Sequence, residues 1–149
     1  MPEHEFSFTD PRDNPGYLLW QVSMRWQRTM GQALAPLGLT HTQWVLMAAL
    51  RWLSHGGEHV TKSDVARHAH VDRMMASKVV RALAARGLVD EGPHPESRRA
   101  HSITLTPRGR DLFARGLRVV EDVDAAFFDG VDAVDTLGAL LPDDDDRNP

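Results

Sequence analysis

The chain has 149 residues, of which 42% are hydrophobic, enough for one domain with an ordinary core. It carries a formal net charge of −4 and no cysteine, which excludes disulfides and a thiol-based switch. No uninterrupted apolar run approaches the roughly eighteen residues a membrane helix needs, and Met1-Pro2-Glu3-His4-Glu5 lacks the basic start of a signal peptide, so a cytoplasmic protein without membrane contact is expected.

In chain order, residues 1–13 read as a flexible arm. From Asn14 to Ala35 the residues Leu18, Leu19, Val22, Trp26, Met30 and Leu34 follow a helical stripe, with Pro15 at the start and Pro36 and Gly38 at the end. Such a helix spans roughly 30 Å, long for so small a domain. Leu39-Thr40-His41-Thr42 leads into a strongly apolar helix over Gln43 to Leu53, stopped by Gly56-Gly57.

Thr61-Lys62-Ser63-Asp64 opens a short helix with a hydroxyl at the N-cap and an acid three residues on, a capping box with Asp in place of Glu. Val65, Ala66 and Ala69 are its apolar face. His70-Val71 breaks the pattern, and Asp72 starts a further helix of roughly fifteen residues whose Ala76, Val79, Val80 and Leu83 keep the helical period until Gly87 stops it. Leu88 to Gly92 then reads as a strand, Pro93 to Ala100 as a turn, and His101 to Leu105 as a returning strand with Ile103 and Leu105 on one face. Thr106-Pro107 caps a long helix striped by Leu112, Phe113, Leu117, Val120, Val123 and Phe127. A short helix over Val131 to Leu141 ends at Pro142, and residues 142–149, with Asp143 to Asp146, read as an acidic disordered tail. A sharper alternative has that tail mimic phosphate and compete for a basic surface.

Two short helices, a strand, a basic turn and a returning strand, in that order, form the layout of a winged helix-turn-helix. The fold class is therefore mainly α with a small β-hairpin wing. Charge is divided accordingly. Residues 72–118 hold ten Lys/Arg against five Asp/Glu, whereas residues 119–149 hold one Arg and ten acids, so the acidic excess is confined to the C-terminal end.

Arg73, Met74, Ser77, Lys78 and Arg81 fall opposite the apolar stripe of their helix. Cationic and hydroxyl groups there suit guanine edges and phosphates, and Met74 or Met75 suits a thymine methyl. On the charges alone an ordinary solvated helix face fits equally well. The hairpin adds Arg98 and Arg99 near its tip, placed for a phosphate backbone or a narrow minor groove, where a solubilising turn is the alternative. With Thr61 and Ser63 as phosphate anchors, and with Lys62, Met75 and His94 beside these groups, the expected DNA-contact set is Thr61, Lys62, Ser63, Arg73, Met74, Met75, Ser77, Lys78, Arg81, His94, Arg98 and Arg99.

The run from Asp72 to Val89, with its Asp start, central Ser77 and closing Gly87-Leu88-Val89, resembles the recognition helix and first wing strand of the MarR family of bacterial transcription regulators. Ser97-Arg98-Arg99-Ala100 followed by Leu105-Thr106-Pro107-Arg108-Gly109 resembles that family's wing signature, Asp-x-Arg and then Leu-Thr-x-x-Gly. Ser97 departs from it: the family carries Asp there to brace the wing arginine, and Glu96 and Asp90 are the acids at hand to replace it. The likeness runs from about Tyr17 to about Phe128. It implies one domain over 14–141, in which 14–36 and 106–141 are dimerisation helices and 40–105 the winged helix-turn-helix. It further implies a homodimeric repressor on a pseudo-palindromic site in double-stranded DNA, released by a small-molecule effector. Packing of the end helices within one monomer would leave the same sequence pattern. The branch of the family that senses peroxide through cysteine is closed to this chain.

The effector pocket implied by the resemblance would lie where the N-terminal helices meet the DNA-binding lobe. Trp20, Met24, His41, Trp44 and Met47 are candidates to line it, with Arg25 and Arg28 to pair with an anionic or aromatic acid; plain core packing is the competing reading for the Trp and Met residues. Eight histidines raise a metal-responsive alternative, but His68-x-His70 diverges at a helix end and no cysteine is available. No metal or cofactor is expected. A winged-helix protein-interaction module without DNA binding is the other alternative. With no convincing nucleophile–base pair and no phosphate-cradling glycine loop, no enzyme is expected.

Overall fold

The computed structural model describes residues 5–57 and 59–142, with the side chains of 97–100 outside it. The helices are α1 (Pro15–Leu34), α2 (His41–Leu53), α3 (Lys62–His68) and α4 (Arg73–Ala85), followed by strands β1 (Val89–His94) and β2 (Ser97–Leu105), then α5 (Pro107–Phe127) and α6 (Ala133–Gly138). Single 3-10 turns cover Pro11–Asp13, Ala35–Leu37 and Ser54–Gly56. Among the described residues no helix is long and apolar enough to cross a membrane.

Local chemistry sets the helix starts. Asn14 caps α1 by accepting from the Tyr17 N–H, with Pro15 in the first turn where its missing donor costs nothing. Thr40 and Gln43 form a complete capping box, which moves the start of α2 two residues ahead of the expected Gln43. Thr61 and Asp64 form the second capping box, as their spacing predicts. α4 is 13 residues rather than roughly fifteen, because Asp72 is its N-cap rather than its first turn. The C-terminal helix is shorter still: α6 occupies Ala133–Gly138 of the expected Val131 to Leu141. Both strands extend further into the turn than their apolar alternation predicts.

The core gathers Met30 and Leu34 from α1, Leu46, Met47 and Leu50 from α2, Val65 from α3, Val80 and Leu83 from α4, and Ile103 from β2. All nine are fully buried, each contributing about 1.5–3 kcal/mol relative to exposure. β1 and β2 pair antiparallel from Val89↔Leu105 to Pro93↔His101, with an irregularity between Pro93 and His94. A third edge is minimal: Thr61 bridges Ser102, and the Ile103 N–H donates to the Val60 carbonyl at 2.8 Å. The stripe of α1 is only half used. Met30 and Leu34 are buried, while Leu18, Leu19 and Val22, expected to pack, are exposed, because the first half of the helix extends beyond the rest of the protomer.

At its end α4 closes in a Schellman arrangement. Gly87 takes φ 71°, its N–H donates to Ala84 and the Leu88 N–H donates to Leu83. The freed carbonyls of Gly87 and Leu88 are then taken by Thr106, whose hydroxyl donates to Gly87 at 2.7 Å and whose N–H donates to Leu88 at 3.1 Å. A Cβ on Gly109 would collide with that Leu88 carbonyl, which explains why glycine closes the Leu105-Thr106-Pro107-Arg108-Gly109 run. Gly116, one helical stretch on, leaves space for Trp44; a Cβ there would lie 2.5 Å from the indole. Gly109→Ala should cost about 1–3 kcal/mol, since the opposing atom is backbone and cannot rotate away. Urea unfolding checks it, with a lower midpoint at unchanged m-value as the expected result.

Candidate nucleic-acid interface

α3 and α4 are joined by a tight turn in which His70 adopts φ 53°, a left-handed conformation that histidine tolerates better than most residues. The Val71 N–H donates to Ala66 at 3.0 Å and closes the turn. A shallow cavity of about 420 Å³ lies between the two helices, lined by Ser63, Ala66, Arg67, Val71, Asp72 and Arg73. Ala76, Val80 and Leu83 point into the core, so the 3.6-residue period forces the intervening side chains outward. Arg73, Met74, Met75, Lys78 and Arg81 are exposed and Ser77 half-buried; Met74 is 85% exposed.

The other expected contact residues are placed less simply. The Thr61 hydroxyl is engaged in its capping box, accepting from the Asp64 N–H and donating to the Asp64 carboxylate at 2.8 Å. Lys62 pairs with Glu91 of β1 at 2.8 Å. Ser63 is half-buried at the edge of the shallow cavity. The His94 Nδ1 accepts from the Glu96 N–H at 3.1 Å, and its ring lies edge-on to His59 with centroids 5.7 Å apart, so His94 shapes the wing turn. The side chains of Arg98 and Arg99, and with them the bracing of the wing at Ser97, lie outside the described residues; so does the acidic tail from Asp143 onward. Neither of the two ion pairs seen among the described residues involves Arg73, Lys78 or Arg81.

The residues expected to line an effector pocket are spread over different environments. Trp44 and Met47 are core, with Trp44 stacked on Phe113 at 5.8 Å. Trp20 is 63% exposed on the projecting half of α1. Arg25 lies over the Phe127 ring at 5.4 Å, Arg28 is exposed, and Met24 is half-buried. His41 is edge-on to Trp26 at 4.9 Å, and the Trp26 indole donates to Asp124 at 2.8 Å, tying α1, α2 and α5 together. An open hollow of about 530 Å³ is formed instead by Phe6, Phe8, Thr9, Pro11, Asn14 and Tyr17 at the start of α1, and it includes none of the expected residues. Among the described residues no three histidines or carboxylates converge as a metal site.

Three participants escape a reading by motif: Glu91, Trp26 as a hydrogen-bonding group, and Asp124. Strand alternation was the available signal for Glu91, two residues beyond the inward-facing Val89. Trp26 and Asp124 are 98 residues apart, with no local signal.

A sequence profile described as the MarR family matches residues 37–100. The uncharacterised HTH-type transcriptional regulator YdcH of Bacillus subtilis is 37% identical over 126 residues, covering 85% of this chain and 86% of YdcH. The chain belongs to the MarR family. Another member, the HTH-type transcriptional repressor Rv2887 of Mycobacterium tuberculosis, is 37% identical over 110 residues, 74% of this chain and 76% of its own. CouR of Rhodococcus jostii RHA1, solved with p-coumaroyl-CoA, superposes with a TM-score of 0.76 at 26% identity over 89% of this chain and 90% of CouR. CouR has also been solved on a 23-mer DNA duplex, again with a TM-score of 0.76 at 26% identity, over 92% of this chain and 96% of that one. This protein is thus a MarR-type transcriptional regulator with a winged-helix fold, and not an enzyme.

Burial holds the His41 pKa of this MarR family member below its ordinary value, with the Asp124 charge opposing the shift only in part. The unfolded chain therefore binds a proton that the folded chain refuses, so this site's contribution to stability is complete above the ordinary value of about 6.5 and is lost as the pH falls through the folded value. His41→Gln should flatten the rise of stability with pH over that window. Equal slopes for the variant and the unaltered protein in denaturant midpoints across the window would overturn this assignment.

Proposed function

We propose that the protein is a homodimeric repressor that binds a pseudo-palindromic site in double-stranded DNA and is released by a small-molecule effector, acting in the cytoplasm. The observation that carries the reading is the outer face of α4. Arg73, Met74, Ser77, Lys78 and Arg81 stand together over a rigid layer of Ala76, Val80 and Leu83, which is the chemistry a major groove recognises. CouR on its DNA duplex supports this at 26% identity. In this reading Arg98 and Arg99 of the wing follow the backbone or the adjacent minor groove.

Dimerisation through 14–36 and 106–141 is supported by what the protomer leaves uncovered. Leu19, Trp20 and Val22 on α1 and Val134, Leu137, Leu140 and Leu141 around α6 are exposed at the two ends of the described chain. So much apolar surface is costly in water unless a second copy covers it. A two-fold axis then sets the recognition helices about 34 Å apart, one turn of DNA. CouR with p-coumaroyl-CoA supports an effector carrying an aromatic and an anionic part. Within the protomer, Trp20, Met24, Arg25, Arg28 and His41 are the members of the expected pocket set left outside the core, and they are assigned to it here.

Titration against the DNA upstream of the protein's own gene at two salt concentrations tests the central claim. Affinity should fall steeply with salt, and the absence of binding at low salt overturns the reading. Lys78→Ala and Arg73→Ala should each change the preference among sites by about 1–3 kcal/mol, whereas Arg99→Ala should weaken binding to every sequence alike. Leu19→Asp combined with Val134→Asp should give a monomer in sedimentation equilibrium; a persistent dimer would place the interface elsewhere.

A further inference from the structure

We propose that Glu91 is an internal competitor for DNA phosphate: it neutralises Lys62 in the free protein and so withholds one cationic contact from DNA of any sequence. The inference rests on the DNA-binding reading above and adds to it a residue that tempers indiscriminate affinity.

The position of Glu91 is anomalous for an acid. Residues directly opposed in an antiparallel pair share a face, and Glu91 is opposed to Ile103 just as Val89 is opposed to Leu105. Val89, Ile103 and Leu105 are all buried, so Glu91 continues the core-facing side of the hairpin where that side runs out towards the wing. Its neighbour Asp90, opposed to Thr104, occupies the solvent side. Glu91 itself is exposed at this end of the face, and there it meets Lys62 at 2.8 Å. Lys62 is brought there by the third edge of the wing. Val60 accepts from the Ile103 N–H and Thr61 bridges Ser102, so the next residue, Lys62, lies within reach of β1.

The pair is closed but open to exchange. The two side chains are 30% and 32% exposed, so water and ions reach both, and a pair so placed contributes little to stability. A phosphate oxygen can replace a carboxylate oxygen on the same ammonium without rearranging the backbone. In that exchange Glu91 is released as an unpaired negative charge beside the incoming phosphate, which is the physical source of the competition. Phosphate contacts position a protein on DNA without reading its sequence, so the residue that suppresses one of them acts mainly on non-specific binding.

A random-sequence DNA duplex is the probe, with affinity measured by fluorescence anisotropy over a series of salt concentrations. Glu91→Gln should bind it more tightly, on the order of 3- to 10-fold near 0.1 M salt, and its slope of log affinity against log salt should steepen by about 0.9, the value of one further phosphate contact. Glu91→Gln combined with Lys62→Gln should return the slope to that of the unaltered protein. A Glu91→Gln protein that melts normally yet binds more weakly would show that the pair is a strut holding the wing, and would overturn the proposal. So would an unchanged slope. If Glu91→Gln fails to fold, Glu91→Asp serves instead: its shorter side chain must loosen the pair and move affinity and slope in the same direction, and no movement overturns the proposal. Salt-dependent binding by the unaltered protein separates failure of this inference from failure of the DNA-binding reading, since only the latter abolishes it.

Discussion

The carbonyl of Leu88 is the joint on which the rest of the molecule turns. It emerges where α4 ends, accepts the Thr106 N–H, and lies so close to α5 that only glycine fits at position 109. The Thr106 hydroxyl donates to Gly87 while accepting the Gly109 N–H at 3.0 Å, so one side chain caps α5 and fastens it to the end of α4. Arg110 adds a hydrogen bond to the Leu105 carbonyl at 2.8 Å. α4, both wing strands and α5 therefore meet within a few residues.

A second set of contacts links α1 to the same body. Trp26 bonds Asp124 of α5 and faces His41 of α2, while Arg86, just past α4, donates to the Gly38 carbonyl at 2.7 Å in the turn between α1 and α2. Asp124 belongs to the acidic end of the chain, yet its charge is spent on an indole and an imidazole inside the fold rather than set against the basic face. Among the described residues Arg73, Lys78 and Arg81 of α4 form no ion pair, while two other candidate DNA contacts each meet an acid, Thr61 bonding Asp64 and Lys62 pairing with Glu91.

Much of this was legible from residues 60–106. Capping boxes, the Gly87 stop and the helical period of Ala76, Val80 and Leu83 are decided by neighbours a few positions away, so local spacing sufficed for the helix-turn-helix and for the outward face of α4. Boundaries moved where a cap belonged to one residue rather than the next, at Thr40 and Asp72. The expected pocket set was harder to read. Trp and Met at helical spacing serve a core and a ligand site equally well; Trp44 and Met47 are both core, and for Trp44 the space comes from Gly116 of α5, which receives its ring.

By itself the sequence determined the order of the elements, the winged layout and the side of α4 that carries the cations, because each depends on periodicity and capping over a few residues. Only the tertiary structure decided that Lys62 is held by Glu91, that Trp26 and Asp124 close the seam between α1 and α5, and that half of the α1 stripe stays uncovered. Those outcomes depend on which distant segments come together, and on the space left between them, and no local pattern encodes either.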